Sequence, residues 1–205
     1  MGGHKMFEIR DKLKNIDCVL ASQSPRRKEL LSTICDKFRV IPAVKEEKAD
    51  MGIETAQVPV QLALNKCREV AEQNPDSLVI GCDTVVLLND IIMGKPKDIQ
   101  DAFRMLSMLS GNTHKVVSGT AIYYKGKYVS FASITEVDFK MIDEWDIRAY
   151  IATGEPFDKA GAYGIQGKGS LLIKAIRGDY FNVVGLPVSE LADKLSDILS
   201  VEELL

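Results

Sequence analysis

The chain has 205 residues, 46% of them hydrophobic and 27% charged, which is the composition of a globular protein long enough to bury a sizeable core. A formal net charge of −3 argues against an electrostatic nucleic-acid binder, and no apolar run reaches the ~20 residues of a membrane span. The first residues lack the apolar segment of a secretory signal, so a cytoplasmic location is expected, with residues 1–17 as an N-terminal extension and 18–205 as one domain.

The first apolar run, Cys18–Ala21, reads as a strand that arrives at a small polar loop. Ser24-Pro25 then starts a helix reaching about Cys35, with a hydroxyl at the N-cap and proline at the first helical position. Arg26 and Arg27 therefore fall in the first turn, beside the positive end of the helix dipole, where acidic residues are preferred. With Ser22 and Ser24 they gather hydroxyls, backbone donors and guanidinium groups at a helix N-terminus, a pattern suited to phosphate oxygens. A capped helix with two solvated arginines is the plainer alternative. Residues 1–50 carry 11 Lys/Arg against 8 Asp/Glu, which places an anion site toward this end.

A short strand, Phe38–Ile41, stops at Pro42, and a polar loop with Lys45-Glu46-Glu47-Lys48 follows. Glu46 and Glu47 offer oxygens of the kind Mg²⁺ or Mn²⁺ takes, or they are simply solvated. Helical spacing runs from about Pro59 to Glu72 through Val60, Leu64, Cys67, Val70 and Ala71. Leu78–Cys82 reads as a buried strand that breaks off at Asp83-Thr84, before a second apolar run, Val85–Leu88. A carboxylate at such a strand end could bind a metal ion or deprotonate a water; equally, Asp83 could cap a local turn.

Asp98 is expected to cap a helix over Ile99–Leu109, stopped by Gly111. Val116–Tyr124 and Tyr128–Phe139 form a hairpin about Lys125-Gly126-Lys127, and Asp143 starts a helix to about Ala152. The glycine-rich stretch Gly161–Gly169 precedes a strand around Leu171–Ile176, and a last helix begins near Pro187. Strand and helix signals thus alternate, and the hairpin excludes a purely parallel sheet: the fold class is α/β with a mixed sheet.

Lys95 in Gly94-Lys95-Pro96 and Lys159 in Asp158-Lys159-Ala160-Gly161 are cations in backbone settings restricted by proline or opened by glycine, a modest addition to the phosphate reading. The glycine-rich stretch has neither the G-K-[ST] ending of a P-loop nor G-x-G-x-x-G spacing, while Gln166 within it could read a base edge through its amide. His114 reads as a hydrogen-bonded structural residue. The cysteines at 18, 35, 67 and 82 have no C-x-x-C spacing and read as buried free thiols.

Taken together, six ordered motifs resemble the Maf-like nucleotide pyrophosphatases, the septum formation inhibitor Maf family. They are S-Q-S-P-R-R-K-E-L-L, G-C-D-T-V-V, G-K-P-K-D, L-S-G-N-T-H-K-V, D-K-A-G-A-Y-G-I-Q-G and N-V-V-G-L-P, spread from Leu20 to about Leu191. The resemblance implies an elongated α/β fold shared with inosine triphosphate pyrophosphatases, with a cleft between two lobes. It also implies hydrolysis of a nucleoside triphosphate to the monophosphate and pyrophosphate with a divalent metal, Mg²⁺ or Mn²⁺, in a homodimer. Carried over by motif, Asp83 is the proton acceptor, Glu47 and Asp83 hold the metal, and Ser22, Ser24, Arg27, Lys95 and Lys159 bind the substrate. The branch acting on dTTP and UTP is the most similar, with its specificity positions on Arg26, Thr84 and Gln166. Ser118-Gly119-Thr120 departs from the family's Thr-Gly-apolar pattern but keeps the hydroxyl. A nucleotide-binding regulator of septation and a purine triphosphate clean-up enzyme are the competing readings.

Overall fold

The computed structural model describes residues 8–45, 49–50 and 52–202. Along the chain the elements are α1 (Glu8–Leu13), β1 (Cys18–Leu20), α2 (Pro25–Leu31), β2 (Arg39–Val40), α3 (Val58–Gln73), β3 (Leu78–Leu88) and β4 (Ile91–Met93). There follow α4 (Ile99–Leu109), β5 (Thr113–Tyr124), β6 (Lys127–Phe139), α5 (Glu144–Ile151), β7 (Ile173–Arg177), α6 (Tyr180–Val184) and α7 (Val188–Glu202). The helix starts legible in the sequence are built as their side chains require. Ser24 Oγ accepts from Arg27 N at 3.4 Å, Asp98 Oδ1 from Asp101 N at 2.8 Å, and Asp143 Oδ1 from Asp146 N at 2.9 Å.

The strands form one seven-stranded mixed sheet of order β2-β1-β3-β5-β6-β7, with β4 paired to β3. β1 runs parallel to β2 and β3, and the remaining pairs are antiparallel. β5 covers one edge of β3 from Val79 to Leu87. The other edge is shared: β1 covers Leu78–Ile80 at its start and β4 covers Val86–Leu88 at its end. Between these two partners the edge of β3 is left open, and Asp83 lies in that opening.

The strand does not break at Asp83-Thr84, as the sequence reading had it, but continues to Leu88. The reason is the alternation of side chains across a sheet: consecutive polar residues point to opposite faces and neither interrupts the ladder to β5, where Asp83 pairs with Gly119 and Thr84 with Ser118. Leu78, Ile80 and Cys82 point to the face that buries α1, α2 and α7, in a core that includes Ile9, Leu13, Leu31, Leu191 and Leu195. Val79 points to the opposite face and packs with Ala63, Cys67 and Val70 of α3. A second core under α4 and α5 surrounds Val86, Met93, Leu106, Leu109 and Ile147.

Helix α3 approaches the sheet closely at two points where glycine faces it. A Cβ on Gly81 would fall 2.4 Å from the Ala63 carbonyl oxygen, and one on Gly119 would fall 2.2 Å from the backbone of Pro59. That approach puts the middle of α3 directly over the polar part of β3. The four cysteines are buried and unpaired, as their sequence context implied.

Candidate active site

A cleft of about 820 Å³ opens at the uncovered edge of β3. It is lined by the loop after β1, the start of α2, residues from α3 and β3, the Gly94-Lys95 turn, the glycine-rich segment, and Gly185 after α6. Every site residue expected from the sequence and lying among the described residues lines it: Ser22, Ser24, Arg26, Arg27, Asp83, Thr84, Lys95, Lys159 and Gln166. Glu46 and Glu47 lie outside the described residues.

Arg27 is held almost completely by the protein. Nε donates to the Gly185 carbonyl at 2.9 Å, and Nη1 donates to the Cys82 carbonyl at 2.7 Å and to Ser22 Oγ at 3.2 Å. Nη2 donates to Thr84 Oγ1 at 3.0 Å. A guanidinium has five N–H groups. These contacts leave one of them, on Nη2, together with the full charge. The Cys82 carbonyl is available because it sits on the open edge of β3, so the gap in the sheet is what seats the arginine. Thr84 Oγ1 is also 2.9 Å from Ser118 Oγ, which anchors it from β5. Ser22 accepts from Arg27 and from Ser24 N at 3.3 Å, and its own hydroxyl proton remains to donate.

Arg26 crosses the mouth of the cleft. Its Nη1 donates to Asp158 Oδ2 at 2.7 Å and its Nη2 to the Asp158 carbonyl at 3.3 Å. Lys159 Nζ donates to the other oxygen of the same carboxylate at 2.6 Å and to the Glu155 carbonyl at 2.7 Å. Burial pushes the Asp158 carboxyl up, but the hydrogen bonds and charges of Lys159 and Arg26 outweigh it and hold the group down at about 2. Lys95 is exposed at the rim, where the preceding Gly94 carbonyl accepts from Gly161 N at 3.0 Å and ties that turn to the glycine-rich segment.

Two charged residues of the cleft, Lys66 and Asp158, were not picked out from the sequence. Lys66, on α3, donates from Nζ to Asp83 Oδ1 at 2.7 Å, and both side chains are largely enclosed, 12% and 14% exposed. Its only sequence signal is its place directly before Cys67, in the apolar stripe of the helix. His114, by contrast, is structural as expected: it is buried and its Nε2 lies 2.7 Å from the Tyr163 hydroxyl.

Among the described residues no group of three or more His, Cys, Asp or Glu could hold a metal ion by itself. Asp83 alone fits the smaller demand of Mg²⁺, which takes one or two protein carboxylates when phosphate oxygens and waters complete its shell.

Fold and cleft together define an α/β protein in which, among the described residues, one enclosed carboxylate, Asp83, faces a cation-rich opening at an interrupted sheet edge. The chain belongs to the Maf-like protein family, whose model matches residues 17–198. It is 48% identical over 177 residues to a dTTP/UTP pyrophosphatase of Bacillus cytotoxicus, covering 86% of this chain and 93% of that one. A Bacillus cereus protein of the same name matches at the same identity and coverage. The fold is similar to that of a HAM1 protein from Coxiella burnetii, with a TM-score of 0.53 at 15% identity, over 89% of this chain and 99% of that one.

Proposed function

We propose that the protein hydrolyses dTTP and UTP to the nucleoside monophosphate and pyrophosphate. The observation that carries this reading is the enclosed Asp83 carboxylate, set at the open edge of β3 in a cleft that also holds Arg26, Arg27, Lys66, Lys95 and Lys159. The names of the 48% identical Bacillus proteins supply the substrates.

In this reading Ser22 and Ser24 donate hydroxyl hydrogens to the phosphates, and Arg27, Lys95 and Lys159 balance their charge. Lys66 fixes Asp83 through Oδ1, and Oδ2 takes the proton of a water attacking the α-phosphorus. The new P–O bond forms as the bond from the α-phosphorus to the bridging oxygen breaks, and pyrophosphate departs with the electron pair. Cations already in place stabilise the charge that grows on the equatorial oxygens, because they need no rearrangement as the reaction proceeds. Asp83 and Glu47 would be the residues to hold a divalent ion, Mg²⁺ or Mn²⁺, which would supply further neutralisation of that charge. Arg26, Thr84 and Gln166 select the nucleoside. The catalytic domain is residues 18–205, with residues 1–17 as an extension whose helix α1 packs into that domain's core through Ile9 and Leu13, acting in the cytoplasm as a homodimer without nucleic acid.

The test is pyrophosphate release from dTTP, UTP and ITP with Mg²⁺ or Mn²⁺. Wild type should prefer dTTP and UTP, and Asp83→Asn should fold normally while losing turnover by about two to four orders of magnitude, the range that general-base catalysis contributes. Near-wild-type turnover in that variant overturns the assignment.

A further inference from the structure

Gln166 reaches the cleft from a segment with little regular structure. It lies between two short 3₁₀ turns, Ala160–Ala162 and Gly167–Leu172, and its side chain is exposed. An amide that reads a base edge discriminates only if its backbone is fixed, since a swinging amide follows whichever base arrives. The fixing group is the carboxylate of Glu155. Oε2 accepts from Lys168 N at 3.0 Å, and Oε1 accepts from Gly169 N at 3.0 Å and from the Tyr150 hydroxyl at 3.0 Å. The same Tyr150 oxygen accepts from Gly164 N at 3.2 Å. Amides on both sides of Gln166 are thereby tied to a single Glu155–Tyr150 unit.

The fit around this unit is close. Gly167 has φ +66°, and a Cβ there would fall 2.9 Å from Glu155 Oε2, so glycine at that position lets the loop wrap the carboxylate without backbone strain or displacement of the side chain. Glu155 is joined in turn to the substrate side of the cleft, since its carbonyl accepts from Lys159 Nζ at 2.7 Å. Burial pushes the Glu155 carboxyl up, but its backbone and tyrosine donors more than offset this, so it is held ionised as an acceptor.

We propose that Glu155 is a positioning residue for base selection, which fixes Gln166 in its reading position by binding the Lys168 and Gly169 amides and, through Tyr150, the Gly164 amide. This rests on the reading of the cleft as a pyrimidine nucleotide site. Glu155 touches no reacting atom, so its removal affects recognition before chemistry.

The test uses the full chain and Glu155→Gln, which keeps the shape of the side chain but replaces one acceptor oxygen with a donor. Selectivity is read as kcat/KM for UTP over CTP, and independently as the ratio of Kd values for the α,β-imido analogues of the two. The variant should lose roughly tenfold in both ratios, with the loss in KM and with kcat for UTP within about threefold of wild type. Added to Gln166→Ala, Glu155→Gln should change the ratios no further. If Glu155→Gln fails to fold, Tyr150→Phe carries the test, with a smaller loss in the same direction. Unchanged ratios, an equal loss of kcat on both nucleotides, or a wild type that binds both analogues alike overturns the proposal. A wild type that discriminates between the analogues but releases no pyrophosphate overturns the hydrolase reading instead, and the binding ratio still decides the role of Glu155.

Discussion

At the scale of single residues, Asp83 and Lys66 are 17 positions apart in the chain and 2.7 Å apart in the fold. An enclosed carboxylate left without its cation keeps the cost of desolvation and loses the compensation. Lys66→Met is therefore expected to cut kcat by about tenfold or more, because Asp83 loses its fixed orientation, as well as to lower the melting temperature. Steady-state kinetics and a thermal melt measure the two effects separately, and an unchanged kcat would show that the pair is only structural. Asp83 stood out in the sequence because a carboxylate after five apolar or small residues is costly unless it has a task. Lys66 did not stand out, since a lysine in an amphipathic helix usually reaches solvent along its stem. Only the closeness of α3 to the sheet encloses it.

That closeness is a property of elements. Gly119→Ala would place a methyl group against the backbone of Pro59, and backbone cannot swing aside as a side chain does. The expected result is a loss of about 1–3 kcal/mol, with reduced turnover as α3 lifts and draws Lys66 away from Asp83, measured by denaturant unfolding and by pyrophosphate release. Across the sheet, burial pushes the His114 imidazole down to about 4 despite the opposing charge of Asp138. The unfolded chain therefore binds a proton between about pH 6.5 and 4 that the folded chain refuses. Stability is complete above pH 6.5 and falls by about 3 kcal/mol as pH drops to 4. His114→Gln should flatten that part of the stability profile, read by denaturant titrations at several pH values.

Helix starts were legible where capping side chains and periodicity agreed, as at α2, α4 and α5, although α2 ends at Leu31 rather than near Cys35. The elements missed were α1 with six residues, β4 with three and α6 with five, each too short for a period to show. Their positions are set by tertiary packing: α1 against the apolar side of α7, and β4 against the free end of β3.

At the scale of the whole molecule, the Arg26–Asp158 contact joins α2 to the segment before the glycine-rich turns, across the mouth of the cleft. The depressed carboxyl of Asp158 contributes stability above the ordinary carboxylate value of about 3.9, and that contribution is lost as pH falls through about 2. Asp158→Asn should accordingly melt below wild type at pH 7, with the difference shrinking as pH falls below 4 and as salt is added. A scan over pH and ionic strength checks both trends.

The same carboxylate has a consequence for traffic through the cleft. Lys159, a phosphate-binding cation in the proposed reaction, already holds an anion that belongs to the chain, so there an incoming polyphosphate would exchange with Asp158 rather than settle on bare charge. In the same reading Asp158 is at hand to recapture Lys159 when the ligand departs, which would weaken retention and hasten its exit. In the proposed reaction this tethered competitor resets the site after each turnover, at the cost of some grip on the substrate.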